Sequence, residues 1–105
     1  MFEQKIIDAI WQKGEIVPSF DPDKFRKDVC GAWMIKDSYG DTNSIYGWVI
    51  DHIQPVSQNG TDNINNLQPL QWRNNVSKGD NYPEWYCKIT SVENRNEEML
   101  TSSKK

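Results

Sequence analysis

The chain holds a single histidine, His52, and it lies within Asp51-His52-Ile53-Gln54-Pro55. Histidine is the side chain best suited to taking a proton near neutral pH: an unperturbed imidazole, with a pKa of ~6.5, is mostly neutral at pH 7 and keeps a free lone pair. A carboxylate directly precedes it. Asn66, Asn75 and Lys78 follow at intervals that read Asp-His-x13-Asn-x8-Asn-x2-Lys from Asp51 to Lys78. Each piece also has a plain reading: the Asp-His pair as a surface turn, Asn65-Asn66 as turn formers, Asn74-Asn75 as a helix cap. Taken jointly and in order, they describe a site built around one base.

The elements that must position these residues follow from periodicity. Tyr46, Trp48, Val49, Ile50 and Ile53 make residues 45–53 β-rich, with Gly47 as a permissive point. Residues 54–66 are rich in Asn, Gly, Asp and Ser and read as a loop. Leu67-Gln68-Pro69-Leu70 is short and extended. Trp72 to Lys78 is a helix with Trp72 and Val76 on its apolar stripe and Gly79 as terminator. Upstream, Phe2, Ile6, Ile7, Ala9 and Ile10 give an amphipathic helix that ends near Gly14. Asp21-Pro22-Asp23-Lys24 is a helix start, with Phe25 to Asp28 as the short helix it opens. Cys30 to Ile35 is apolar and extended. Glu84 to Thr90 fits strand or helix, and residues 93–105 read as a polar, flexible tail.

The run from Val49 through Asp51-His52, Asn65-Asn66-Leu67-Gln68-Pro69-Leu70 and Asn74-Asn75-Val76-Ser77-Lys78-Gly79-Asp80 resembles the HNH endonuclease family, with His52, Asn66 and Asn75 as its H, N and N. The resemblance covers about a third of the chain, within residues 45–80, and extends loosely to Arg26–Trp33. It implies an α+β fold with a ββα-metal core: a short antiparallel β-hairpin and a helix. N-terminal helices within residues 2–28 would be added to it, in one domain over residues 1–92. It also implies a metal-dependent endonuclease acting on DNA, with RNA as the alternative substrate, leaving 5′-phosphate and 3′-hydroxyl ends. On this resemblance the catalytic set is His52, Asn66 and Asn75. His52 activates water, Asp51 and Asn75 hold the metal through oxygen, and Asn66 ties down the loop and helps hold the histidine ring. Two oxygen ligands completed by water and phosphate suit Mg²⁺ or Mn²⁺ above Zn²⁺. Lys78, one turn beyond Asn75, is either a phosphate contact or a solvated residue, and Arg73 contacts nucleic acid only if the strand wraps past the helix end.

Many members of that family carry a structural zinc on two Cys-x-x-Cys pairs. The matching places here read Cys30-Gly31-Ala32-Trp33 and Gln71-Trp72-Arg73-Asn74, so no structural zinc is expected and Trp33 and Trp72 are the natural fillers. Asn59-Gly60 stands where the family usually has a glycine pair. Cys30 and Cys87 are isolated; they could form one disulfide, but two reduced, partly buried thiols are the expected state. Trp33, Trp48, Trp72 and Trp85 are read as core in preference to a base-stacking platform. Lys24, Arg26 and Lys27 are read as a solvated helix face.

Net charge is −3 and the pI near 5.0, which argues against a nucleic-acid-coating protein but leaves room for a nuclease that grips phosphate locally. With 36% hydrophobic and 26% charged residues the chain is expected to fold. No apolar run approaches a membrane span, so no membrane partner and a cytoplasmic location are expected. One site cuts one strand, so a homodimer or a specificity-giving protein partner fits double-strand cleavage. The rival functions are a non-catalytic nucleic-acid-binding ββα module and an effector or toxin nuclease with an immunity partner.

Overall fold

Ile6, Ile7, Ile10 and Trp11 share one side of α1 (Gln4–Trp11), and burying that side is what makes so short a helix stable. A computed structural model describes residues 2–105, leaving aside the side chains of residues 101–103. α1 is followed by β1 (Phe25–Lys27), β2 (Trp33–Ile35), β3 (Trp48–His52), β4 (Leu67–Gln71), α2 (Trp72–Lys78), β5 (Tyr86–Val92) and β6 (Arg95–Lys104). The fold is α+β. The strands pair as three antiparallel two-stranded sheets, β1–β2, β3–β4 and β5–β6.

The second N-terminal helix expected over Phe25–Asp28 is a strand, so the N-terminal part contributes one helix. The capping turn does form: Asp21 Oδ1 accepts from the Asp23 N–H at 2.9 Å, and the Asp21 carbonyl accepts from Lys24 and Phe25 at 3.0 and 2.9 Å. It does not propagate, because β1 is claimed by partners on both edges. Phe25, Arg26 and Lys27 pair with Ile35, Met34 and Trp33, and Lys27 exchanges both backbone hydrogen bonds with Glu15. Long-range pairing overrides the local helix signal. Arg26 consequently points inward. It is 7% exposed and donates to the carbonyls of Pro22, Gln12 and Gly14, while Lys27 lies 4.8 Å over the Trp33 ring. The solvated basic face expected there does not exist.

One hydrophobic cluster joins α1 to the β3–β4 hairpin through Ile7, Ile10, Trp11, Met34, Trp48, Ile50 and Leu67. Trp48 is at its centre, with ring centroids 5.2 Å from Trp11 and 4.9 Å from Tyr39. Truncating such a ring costs about 3–5 kcal/mol. A second cluster, Cys30, Leu70, Trp85 and Cys87, lies under β5. Trp33, Trp48 and Trp85 are buried, as expected of core residues, and Trp72 is half-buried with its Nε1 donating to the Ser44 carbonyl at 2.8 Å.

Cys30 and Cys87 form a disulfide, correcting the reading of two free thiols; their Cα atoms are 5.8 Å apart and 57 positions separate them. The sequence gives no spacing cue because the pair meets only once β5 is laid beside the loop before β2. Closing a loop of this length is worth about 4 kcal/mol in the chain-entropy view. The segment from residue 93, expected as a flexible tail, is also corrected: β6 pairs back on β5 from Val92 opposite Arg95 to Tyr86 opposite Lys104. Its polar composition is that of a two-stranded ribbon open to solvent, which needs little apolar content.

Candidate functional site

The β3–β4 hairpin has Asp51 opposite Gln68 and His52 opposite Leu67, and the Ile53 N–H donates to the Asn66 carbonyl at 2.7 Å where the strands close. α2 starts directly from β4. Gln71, fully buried, caps it: Oε1 accepts from the N–H groups of Arg73 and Asn74 at 2.8 and 3.1 Å. No loop separates strand from helix, so α2 is folded back across the hairpin in a fixed register. Together, β3, the start of the following loop and the end of α2 enclose a cleft of about 370 Å³. It is lined by Ile50, Asp51, His52, Pro55, Val56, Ser57, Asn75, Gly79 and Asp80. Asp51, His52 and Asn75 therefore meet in one place.

Asp51 is 6% exposed. Burial pushes its carboxyl above the usual carboxylate range, while the Gln68 amide, the Lys78 ammonium and the neighbouring His52 pull it back. Gln68 Nε2 donates to Asp51 Oδ2 at 3.0 Å, and Lys78 Nζ stands 3.4 Å from Oδ1. His52 is less enclosed, with 24% of its side chain exposed, and its Nε2 is 2.7 Å from Asp62 Oδ1. Asn75 is half-buried. Its side-chain amide has no hydrogen-bond partner among the described residues, so its oxygen is free to take a ligand.

Asn66 holds the loop rather than the ring. Its Oδ1 accepts from the Gln54 N–H at 2.9 Å, and its Nδ2 donates to the carbonyls of Gln54 and Thr61 at 3.1 and 2.8 Å. One side chain thus ties both ends of the loop. Asn59 occupies a left-handed conformation (φ 72°), which asparagine tolerates well and which explains how it stands in for a glycine. A side chain at Gly60 would collide with the Gln54 carbonyl, so that glycine is required.

Lys78 is not a surface cation. It is 1% exposed and its Nζ donates to the His52 carbonyl at 2.9 Å, alongside Asp51. An ammonium so engaged does not meet a phosphate, and neither reading made for it survives. Arg73 lies on another side of α2, where its guanidinium pairs with Glu98, and it does not line the cleft. The apolar stripe expected through Trp72 and Val76 is reversed as well: Val76 is 69% exposed, and the buried positions of α2 are Asn74 and Lys78.

Three residues at this site were missed from the sequence. Asp62 lies ten positions after His52, a separation that carries no meaning until the loop folds back. Asp80 enters the cleft just past the helix terminator. Gln68 reaches Asp51 only through the cross-strand register.

Residues 34–81 match the family model described as HNH endonuclease, a span that includes most of β2, both strands of the β3–β4 hairpin, α2 and every residue that lines the cleft. The match identifies residues 34–81 as an HNH endonuclease domain. No curated protein and no solved structure matches the chain. An HNH domain points to a nuclease-type or nucleic-acid-binding function and to a nucleic acid as what it acts on, and HNH domains typically use a divalent metal. Asp51 and Asn75 both line the cleft and carry the oxygen donors that such an ion takes. Among the described residues no three His, Cys, Asp or Glu side chains converge, so water and substrate oxygens would complete the shell. No helix of the described residues is long and apolar enough to cross a membrane.

Proposed function

We propose that this HNH domain is a metal-dependent endonuclease that hydrolyses phosphodiester bonds in DNA. The observation that carries the reading is the convergence of His52, Asp51 and Asn75 on one open cleft. His52 is the general base. It takes a proton from a water molecule as the water oxygen forms its bond to phosphorus; the bond from phosphorus to the 3′ oxygen breaks, and that oxygen gains a proton to leave as a hydroxyl, with the phosphate on the 5′ end. Asp51 and Asn75 would hold a divalent ion, Mg²⁺ or Mn²⁺ by the hardness of the donors. The bound ion would supply positive charge against the charge that develops on the phosphoryl and leaving oxygens. Lys78 holds the end of β3 by the His52 carbonyl and the Asp51 carboxylate, which keeps the base and the metal ligand in a fixed relation.

The test is nicking of supercoiled plasmid by the wild type and by His52→Ala, with EDTA, Mg²⁺, Mn²⁺ and Zn²⁺ compared. We expect metal-dependent nicking that EDTA abolishes, reduced roughly 100- to 10,000-fold in the variant, the range of general-base contributions. Undiminished nicking by His52→Ala would refute the mechanism. A wild type inert under every metal would favour the non-catalytic binding module. Each site cuts one strand, so double-strand breaks would need two copies acting together.

A further inference from the structure

We propose that Asp62 is a positioning residue for His52: its carboxylate fixes the proton of the neutral imidazole on Nε2 and so presents Nδ1 as the base. This deepens the nuclease reading and rests on it for its kinetic consequence, but the state of the ring can be tested independently.

Asp62 Oδ1 is 2.7 Å from His52 Nε2, and an ionised carboxylate can only accept. The ring nitrogen facing it must therefore carry hydrogen, and the lone pair of the neutral ring is left on Nδ1. Nδ1 has no protein partner among the described residues. Asp62 is itself well exposed, 79% at the side chain. A hydrogen bond to so exposed a carboxylate contributes little to stability, so the useful consequence of this contact is orientation.

The loop around Asp62 is braced for that purpose. The Thr61 carbonyl takes a hydrogen bond from Asn66 Nδ2 at 2.8 Å, and Thr61 Oγ1 accepts from the Asn63 N–H at 3.3 Å. Asn63 Oδ1 accepts from the Asn65 N–H at 2.8 Å, and the Asn63 carbonyl from the Asn66 N–H at 2.7 Å. The backbone on both sides of Asp62 is thus held. His52 is fixed from its own side by Lys78 on its carbonyl, and the Phe2 ring stands 6.2 Å from the imidazole, centroid to centroid. The middle asparagine of the HNH pattern acts on the histidine through this relay, from Asn66 to Thr61 and on to the Asp62 carboxylate.

The chain has one histidine, so its two ring nitrogens can be observed without ambiguity in the ¹⁵N-labelled protein. At about pH 8, where an unperturbed imidazole is neutral, the wild type is expected to show hydrogen on Nε2 and a bare Nδ1. Asp62→Ala should release the ring into a mixture of tautomers, moving the two ¹⁵N signals toward each other. Asp62→Asn, which keeps an acceptor oxygen, should restore the wild-type pattern. In plasmid nicking, Asp62→Ala should lower kcat roughly 10- to 100-fold with KM little changed, and Asp62→Asn should recover much of the loss. Hydrogen on Nδ1 in the wild type, or ring signals unmoved in Asp62→Ala, would overturn the proposal. A wild type that shows the expected ring state but nicks no plasmid would refute the nuclease reading and leave the positioning of the ring standing.

Discussion

Two neighbouring asparagines on α2 (Trp72–Lys78) serve opposite purposes, and each works beside a buried aspartate. Asn74 is fully enclosed. Its Oδ1 accepts from the N–H groups of Lys88 and Ile89, both at 2.8 Å, and its Nδ2 donates to Asp28 Oδ2 and the Ile89 carbonyl at 3.0 and 2.9 Å. Asp28 is equally saturated: Oδ1 takes the N–H groups of Cys30 and Ala32, and Oδ2 takes that of Gln71 besides Asn74. This cluster docks α2 onto β5 and onto the loop before β2, and nothing in it remains to bind anything else. One residue on, Asn75 spends no side-chain hydrogen bond on the protein, and Asp51 is satisfied by one amide and one ammonium beside an open cleft. The saturated cluster is structural; the unsaturated one is where a ligand has room and chemical cause to bind.

The sharpest way to break this contrast is at Asn74. Asn74→Ala leaves two N–H groups, a carbonyl and part of a carboxylate unpaired in the interior, and should cost about 3–5 kcal/mol, measured by urea denaturation. Nicking per folded molecule should be unchanged. A loss of a few tenths would mean that α2 is held chiefly by apolar contacts.

Lys78→Met comes next. It removes the partner of a carboxylate that stays buried, with an expected loss of about 3 kcal/mol in the same experiment. Adding Asp51→Asn should recover part of it, since no unpaired charge then remains inside. Asn75→Ala should do the reverse of Asn74→Ala: a stability change within about 0.5 kcal/mol, and nicking reduced at least about 10-fold. If both asparagine variants lose stability alike, the division of labour on α2 is wrong.

The smallest effect concerns pH. Asp51 and Asp28 both have carboxyls raised by burial, so in this range the folded state binds more protons than the unfolded one. Stability then rises as pH falls from neutral toward the raised values, and the contribution is lost as pH climbs through them. Asp51→Asn does not titrate at this position. The stability of the wild type relative to that variant should therefore improve as pH falls from 7 toward the raised range, measured by urea denaturation at a series of pH values. A gap that moves the other way would show that Gln68 and Lys78 outweigh desolvation at Asp51.

The contrast also explains what could be read in advance. Trp48 to His52, Leu67 to Leu70 and Trp72 to Lys78 carry local signals of strand and helix that agree with their final state. Phe25 to Lys27 did not, because its capping signal was local and the edges that claimed it, β2 and Glu15, were remote. α2 shows the limit of apolar patterning: its inner stripe is Asn74 and Lys78, polar residues that become buried because Asp28, the β5 backbone, the His52 carbonyl and Asp51 wait there to satisfy them. A periodicity count turns Val76 inward instead, the reverse of what the structure shows.

By itself the sequence determined the groups available for chemistry: one imidazole, a carboxylate beside it and two asparagines at a spacing that resembles the HNH endonuclease family, carried on a hairpin and a helix with strong local propensities. The tertiary structure alone decided which polar groups would be free to act. It turned Lys78 inward, paired Cys30 with Cys87, folded residues 95–104 back as a strand, and brought Asp62 to the histidine across a ten-residue gap. Those outcomes depend on contacts between residues far apart in the chain, where the free energy lies in burial and in hydrogen-bond partners that no local window contains.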